Sequence, residues 1–123
     1  MESLSFQNRD FAVASEIGTA KSRARFTGNA DIDAIAPLRE LMARLHAELV
    51  RVSAKEIEID LRDLEFMNAA CMKLFVNWVA EILDGPEEQR YRLRFVSNPD
   101  VRWQRRSLMA LQCFTTDVVV LDG

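Results

Sequence analysis

The sequence has little of what marks the commonest specialised classes of protein. It holds only 4 glycines and 3 prolines in 123 residues, too few for a low-complexity linker, and no internal repeat interrupts it. Its two cysteines, Cys71 and Cys113, lie in otherwise apolar segments. They read as buried thiols in a reducing compartment rather than as a disulfide framework. A single histidine, His46, has no second histidine, cysteine or carboxylate at ligand spacing, so no metal site and no cofactor are expected. The longest apolar run, about residues 74–79, is broken by Asn77 and falls far below the roughly 20 residues that span a bilayer. The first ten residues have neither the basic start nor the apolar stretch of a secretory signal. A formal charge of −3 gives no overall field for nucleic acid or an anionic membrane. A soluble, cytoplasmic chain is expected, with no nucleic-acid partner and no insertion into a membrane. Walker, dinucleotide-binding, nucleophile-elbow and EF-hand signatures are all missing.

What is present suits one globular domain over residues 1–123. The chain is 49% hydrophobic and 28% charged, enough to build a core and too much to remain disordered. Residues 1–10 carry no assigned element and are expected to form a poorly ordered N-terminal segment. Phe11, Val13 and Ile17 alternate as in a strand, Gly18-Thr19 makes a turn, and Lys21, Arg23 and Arg25 alternate with small or apolar residues in a second, half-exposed strand that Gly28-Asn29 ends. Leu38, Leu41, Met42, Leu45 and Leu49 mark one stripe of a helix for which Asp33 is the candidate N-cap, with Pro37 delaying its start. Ile57, Ile59 and Leu61, continuing to Leu64 and Phe66, predict a strand. Asn68 then caps a second helix over about residues 69–83, which Asp84-Gly85-Pro86 stops. Tyr91, Leu93 and Phe95 form another strand, Pro99 opens a third helix running to Gln112, and residues 118–121 close the chain as a strand. The order β-β-α-β-α-β-α-β implies crossovers and a mixed α/β sheet of about four to five strands packed against helices.

The segment Ile59-Asp-Leu-Arg-Asp-Leu-Glu-Phe-Met-Asn-Ala-Ala-Cys-Met-Lys-Leu-Phe75 resembles the central motif of STAS domains, the family of anti-sigma-factor antagonists. In that family an aromatic–apolar pair leads into an Asp-Ser-Ser-Gly turn that opens a helix. Phe66-Met67 matches the pair, Asn68 falls on the aspartate, Ala69 and Ala70 on the serines, and Cys71 on the glycine. Thr27-Gly-Asn-Ala-Asp31 is similar to the turn before the family's first helix, with Gly28 and Asp31 in its Gly-x-x-Asp pattern, and Asn98-Pro-Asp-Val101 is similar to the turn before its third. The resemblance spans roughly residues 11–121. It implies a non-catalytic module that binds a switch kinase, an anti-sigma factor or a phosphatase-type regulator, with the first serine position as phosphoacceptor. A phosphate there would sit at the positive end of a helix and add nearly two negative charges to a docking surface.

The chain departs from that pattern where it matters most. Ala69 and Ala70 have no hydroxyl, so neither can be phosphorylated. Either this is a non-switching member that binds constitutively, or its serines have been replaced. Asn68 removes a charge, Cys71 makes the backbone less permissive than glycine, and the family's C-terminal helix is missing. An accessory subunit of a membrane transporter is the alternative within the same family.

The other candidates are weighed against ordinary structural roles. His46 reads as a residue on a helix flank. Cys71, near a helix start, could be the thiol of a small enzyme or redox sensor, but a small apolar residue opening a helix accounts for it. Glu58 and Asp60 share a strand face expected to meet solvent. Arg102, Arg105 and Arg106 share one face of the third helix beside Trp103. As a weaker partner-binding candidate, that face suits an acidic protein surface or a phosphorylated residue. Met67, Met72, Phe75, Trp78 and Phe95 are expected in the core; exposure of Trp78 would instead suggest a homodimer face.

Overall fold

The computed structural model describes residues 2–122, apart from the side chains of Glu2 and Ser3. Six strands, β1 (Glu2–Gln7), β2 (Phe11–Ile17), β3 (Ser22–Ala30), β4 (Glu56–Met67), β5 (Arg92–Val96) and β6 (Val119–Asp122), alternate in their later part with three helices, α1 (Ile35–Arg51), α2 (Ala69–Asp84) and α3 (Arg102–Gln112). The strands lie side by side in chain order in one sheet. β1, β2 and β3 pair antiparallel, whereas β3, β4, β5 and β6 are parallel. Each parallel step is bridged by one helix, and right-handed crossovers that all advance in the same direction place the helices on a single face of the sheet.

The sixth strand is β1, in the segment where the sequence suggested disorder. Leu4 is buried and Phe6 packs on Phe11 with ring centroids 6.1 Å apart. The hairpin closes through Asn8, whose Oδ1 accepts from the backbone N–H groups of Asp10 and Phe11 at 3.0 and 2.8 Å. The alternation of Leu4 and Phe6 before an Asx turn was the signal for it.

Two helix starts also differ from the expected positions. Asp31, not Asp33, is the capping residue: its side chain accepts from Ile32 N and opens a single 3-10 turn, Ile32–Ala34, before α1 begins at Ile35. That places Pro37 inside the first helical turn, where a missing N–H costs nothing. α3 starts at Arg102 instead of Pro99, because Asn98 folds residues 98–101 into a turn, accepting from Asp100 N at 2.9 Å through its side chain and from Val101 N at 3.0 Å through its carbonyl. β3 runs on to Ala30, past the Gly28-Asn29 pair expected to end it.

The core lies between the sheet and the three helices. The predicted stripe of α1 is buried throughout. An aromatic chain Phe11–Phe26–Phe75–Phe95 crosses from β2 and β3 over α2 to β5, with centroids 6.1, 5.5 and 5.3 Å apart. Trp78 is buried and stacks on Phe75, so it offers no exposed dimer face. Met72 is only half-buried and stands at the rim of the core.

The opposite face of the sheet has no helix, which is unusual for parallel strands. Columns of alternating charge make it soluble: Arg23 of β3 meets Glu58 of β4 at 2.8 Å, and Arg94 of β5 meets Glu58 at 2.9 Å and Asp122 of β6 at 2.7 Å. The lysine- and arginine-rich strand pattern thus reports its neighbours' signs.

Candidate functional site

The site suggested by the sequence is the junction of β4 with α2, and the structure builds it from the residues that the motif contains. Asn68 leaves the strand in extended conformation, and its side chain accepts from Cys71 N at 2.8 Å, as an N-cap does. Its own N–H donates to Ala30 O at 2.9 Å, tying the junction to the end of β3. The Asn68 Nδ2 approaches Asp31 Oδ1 at 3.4 Å, so the two capping residues sit together at the top of the sheet. Ala69 and Ala70 are exposed on the first turn of α2.

Cys71 is different. Its side chain is completely buried, with Sγ 3.7 Å from Asp31 O. Burial, with help from the nearby Asp31 charge, pushes the thiol above its ordinary pKa. A nucleophilic or redox-sensing cysteine needs the reverse, an accessible thiolate. The residue serves as a small core plug beneath the turn.

Gly28 and Asp31 are both close to this junction, but they do different work. Asp31 is exposed and caps the 3-10 turn. Gly28 lies within β3 with φ +92, and a Cβ there would stand 2.1 Å from the Asp10 backbone oxygen. Its role is to let the β2–β3 backbones approach where β3 bends.

Beside the turn, the chain leaves apolar surface uncovered. Phe66 is 43% exposed and Ile32 74% exposed on either side of the capped helix start. From Phe66 a groove of about 530 Å³ runs between α2 and α3 along Met72, Val76, Trp103 and Ser107, with Lys73 on its edge. Trp103 is held by its indole N–H, which donates to Glu65 O at 2.8 Å. Arg102, Arg105 and Arg106 are exposed and form no ion pair among the described residues, so the face that the sequence singled out is present on α3.

Sequence reasoning missed Gln104, the residue that positions this face. It is fully buried; its Nε2 donates to Leu61 O and Leu64 O at 2.7 Å each, and its Oε1 accepts from Asn98 N at 2.8 Å. A lone buried glutamine between Trp and Arg gives no pattern to read. Two other expectations need correction. The face of Glu58 and Asp60 does not simply meet solvent: Glu58 is clamped between arginines, and Asp60 is 5% exposed beneath Arg62, at 3.0 and 2.9 Å. Cys113, expected to be a buried thiol like Cys71, is exposed at the end of α3, whereas His46 stands on the flank of α1 as expected, half-buried, with its Nδ1 2.6 Å from the Tyr91 hydroxyl.

Among the described residues no group of three or more His, Cys, Asp or Glu could hold a metal ion. None of the described helices is long and apolar enough to cross a membrane. The 68–71 turn offers neither a hydroxyl nor an accessible thiol. It presents shape, backbone polarity and flanking apolar side chains.

A sequential mixed sheet with its helices on one face, and with a capped helix start at the end of the central strand, is the fold of anti-sigma-factor antagonists, the SpoIIAA-like or STAS fold. Two of the solved structures that share it illustrate the likeness. An anti-sigma factor antagonist from Mycobacterium paratuberculosis superposes with a TM-score of 0.63 over 89% of this chain and 85% of its own, at 17% identity. A protein of the DUF3478 family with a SpoIIAA-like fold from Shewanella loihica PV-4 superposes with a TM-score of 0.58 over 96% of this chain and 90% of its own, at 11% identity. No protein-family model matches the sequence, and comparison with curated proteins gives no match.

Proposed function

We propose that this chain is a non-catalytic regulatory module that binds a protein partner through the 68–71 turn and the adjoining faces of α2 and α3. It resembles an anti-sigma-factor antagonist of a cytoplasmic partner-switching pathway, and its partner is a switch kinase, an anti-sigma factor or a phosphatase-type regulator. The observation that carries this reading is the exposed, Asn68-capped start of α2 flanked by uncovered Phe66 and Ile32. A sheet end leading into helices is where open α/β folds place their sites. With alanine at both acceptor positions, binding is constitutive, since no phosphate can be added to the turn to break the contact.

The direct test is titration with a purified GHKL-type kinase encoded beside the gene, using the wild type, Ala69→Glu in the turn, and Ala20→Glu in the β2–β3 hairpin loop. The wild type and Ala20→Glu are expected to bind alike, and Ala69→Glu at least tenfold more weakly. Absence of binding to any such kinase, anti-sigma factor or phosphatase regulator, or equal binding by Ala69→Glu, would overturn the proposal.

A further inference from the structure

The groove between α2 and α3 has a chemical character that narrows the partner. Its walls are apolar, from Phe66, Met72, Val76 and the ring of Trp103. Lys73 of α2 stands on its edge, and α3 beside it is basic, with Arg106 next to the groove-lining Trp103 and Ser107 and with Arg102 and Arg105 further round the exposed side of the helix. α3 contains no acidic residue at all, and α2 has none before Glu81. This contrasts with the sheet face, where Arg23, Arg25, Arg62, Arg92 and Arg94 each meet a carboxylate. In a chain of net charge −3, the uncovered apolar groove has a cation on its edge and a helix that carries arginines and no carboxylate beside it.

We infer that the α2–α3 groove docks an acidic amphipathic helix of a partner protein. The inference rests on the reading of this face as a protein-docking surface and specifies what fits it. A helix lays apolar side chains at i, i+4 and i+7 into such a groove. Acidic residues beside those anchors then meet the arginines, whose planar groups can grip carboxylates through two bonds. The concave shape favours a helix over a lipid surface: the Trp103 ring lies half-buried against the groove wall, with its indole N–H committed to Glu65 O at 2.8 Å, so it is not free to insert into a bilayer interface. An added strand has no place here, because the sheet ends at β1 and β6, on edges away from the groove.

The test uses the whole protein and a synthetic 16-residue helical peptide with leucines at i, i+4 and i+7 and glutamates around them. Controls are the same peptide with lysine for glutamate, a scrambled acidic peptide, and vesicles of mixed phosphatidylserine and phosphatidylcholine. The acidic amphipathic peptide is expected to shift the amide resonances of Met72, Val76 and Trp103, with affinity falling as salt rises. Val76→Asp, on the groove wall, and Arg106→Glu, on its rim, are each expected to weaken it at least tenfold, while both variants keep the wild-type circular dichroism spectrum. Equal binding of the lysine or scrambled peptide, shifts elsewhere on the surface, or binding to vesicles without binding to the peptide would overturn the inference. Should a kinase still bind in a manner sensitive to Ala69→Glu while the acidic peptide fails, the inference falls and the proposed function stands.

Discussion

The Tyr91 hydroxyl lies 2.6 Å from His46 Nδ1 and 2.6 Å from Trp78 Nε1, so that one oxygen links both side chains. Indole N–H can only donate, so Tyr91 accepts from Trp78, and the same hydroxyl meets His46, whose Nε2 lies 3.7 Å from Glu81. One hydroxyl joins α1, α2 and the residue that leads into β5. Burial pushes the Tyr91 hydroxyl well above its ordinary pKa, so it stays protonated throughout the usual pH range. Tyr91→Phe keeps the ring but leaves a buried indole N–H unpaired. It should cost about 1–3 kcal/mol, read as a lower urea midpoint at an unchanged m-value.

Asp60 is held charged by Arg62, whose guanidinium meets both carboxylate oxygens and whose backbone N–H adds a third bond at 3.0 Å. The hydrogen bonds from Arg62 outweigh the opposing effect of burial and hold the carboxyl below its usual pKa. A carboxylate depressed in the folded state contributes stability that is present above its unfolded pKa of about 3.9 and lost as pH falls through the lower folded value. The stability difference between wild type and Asp60→Asn should therefore be constant near neutrality, at about 1 kcal/mol given that Arg62 is largely exposed, and should shrink below about pH 4. Denaturation midpoints from pH 7 to pH 2.5 measure this; a difference that grows on acidification contradicts the pairing.

The same stretch of β4 shows where a reading of the sequence holds and where it stops. Ile57, Ile59 and Leu61 alternate inward as their spacing predicts, but the next buried positions are Leu64 and Met67. The register with β3 slips twice, between Arg25 and Thr27 and again between Gly28 and Asn29. Each slip is an extra residue in β4, and each moves the inward phase by one. A period-two pattern has no means of announcing a bulge, so alternation from Leu61 does not locate the buried Leu64. Element order, the stripe of α1 and the Asn68 cap were legible because they depend on local spacing and a capping side chain. The groove was not, because it depends on where a phase-shifted Phe66 and a half-buried Trp103 end up relative to each other. Arg102, Arg105 and Arg106 were legible as a helix face because they too depend on local spacing.

Ala69 occupies the first helical position of α2, where no acidic residue stands in the first turn. Ala69→Asp places a negative charge at the positive end of the helix and should raise stability by about 0.3–1 kcal/mol. The same charge, set between Phe66 and the partner, should lower affinity for the kinase at least tenfold. Stability and binding moving in opposite directions separate a docking role from a structural one; parallel losses would mean that the turn serves the fold alone. Calorimetric melting and binding titration of one variant supply both numbers.

Gln104 bears on both packing and docking, because it fastens α3 to the irregular end of β4. Its amide donates to the Leu61 and Leu64 carbonyls, beyond the stretch of β4 that pairs with β5, and its oxygen holds the Asn98 N–H that starts the turn into α3. Gln104→Leu has nearly the same volume but would strand all three buried groups, each worth roughly 1–3 kcal/mol when left unpaired. The expected loss is about 3 kcal/mol or more, most of it from the contact between α3 and β4. Native-state hydrogen exchange should show α3 and residues 98–101 opening well before α1 and the β1–β3 hairpins. Because Trp103 adjoins this anchor, the groove should loosen with it, and binding should weaken even where the protein remains folded. Uniform acceleration of exchange across the whole sheet would instead mean that Gln104 supports the core at large and that α3 is not a separately fastened element.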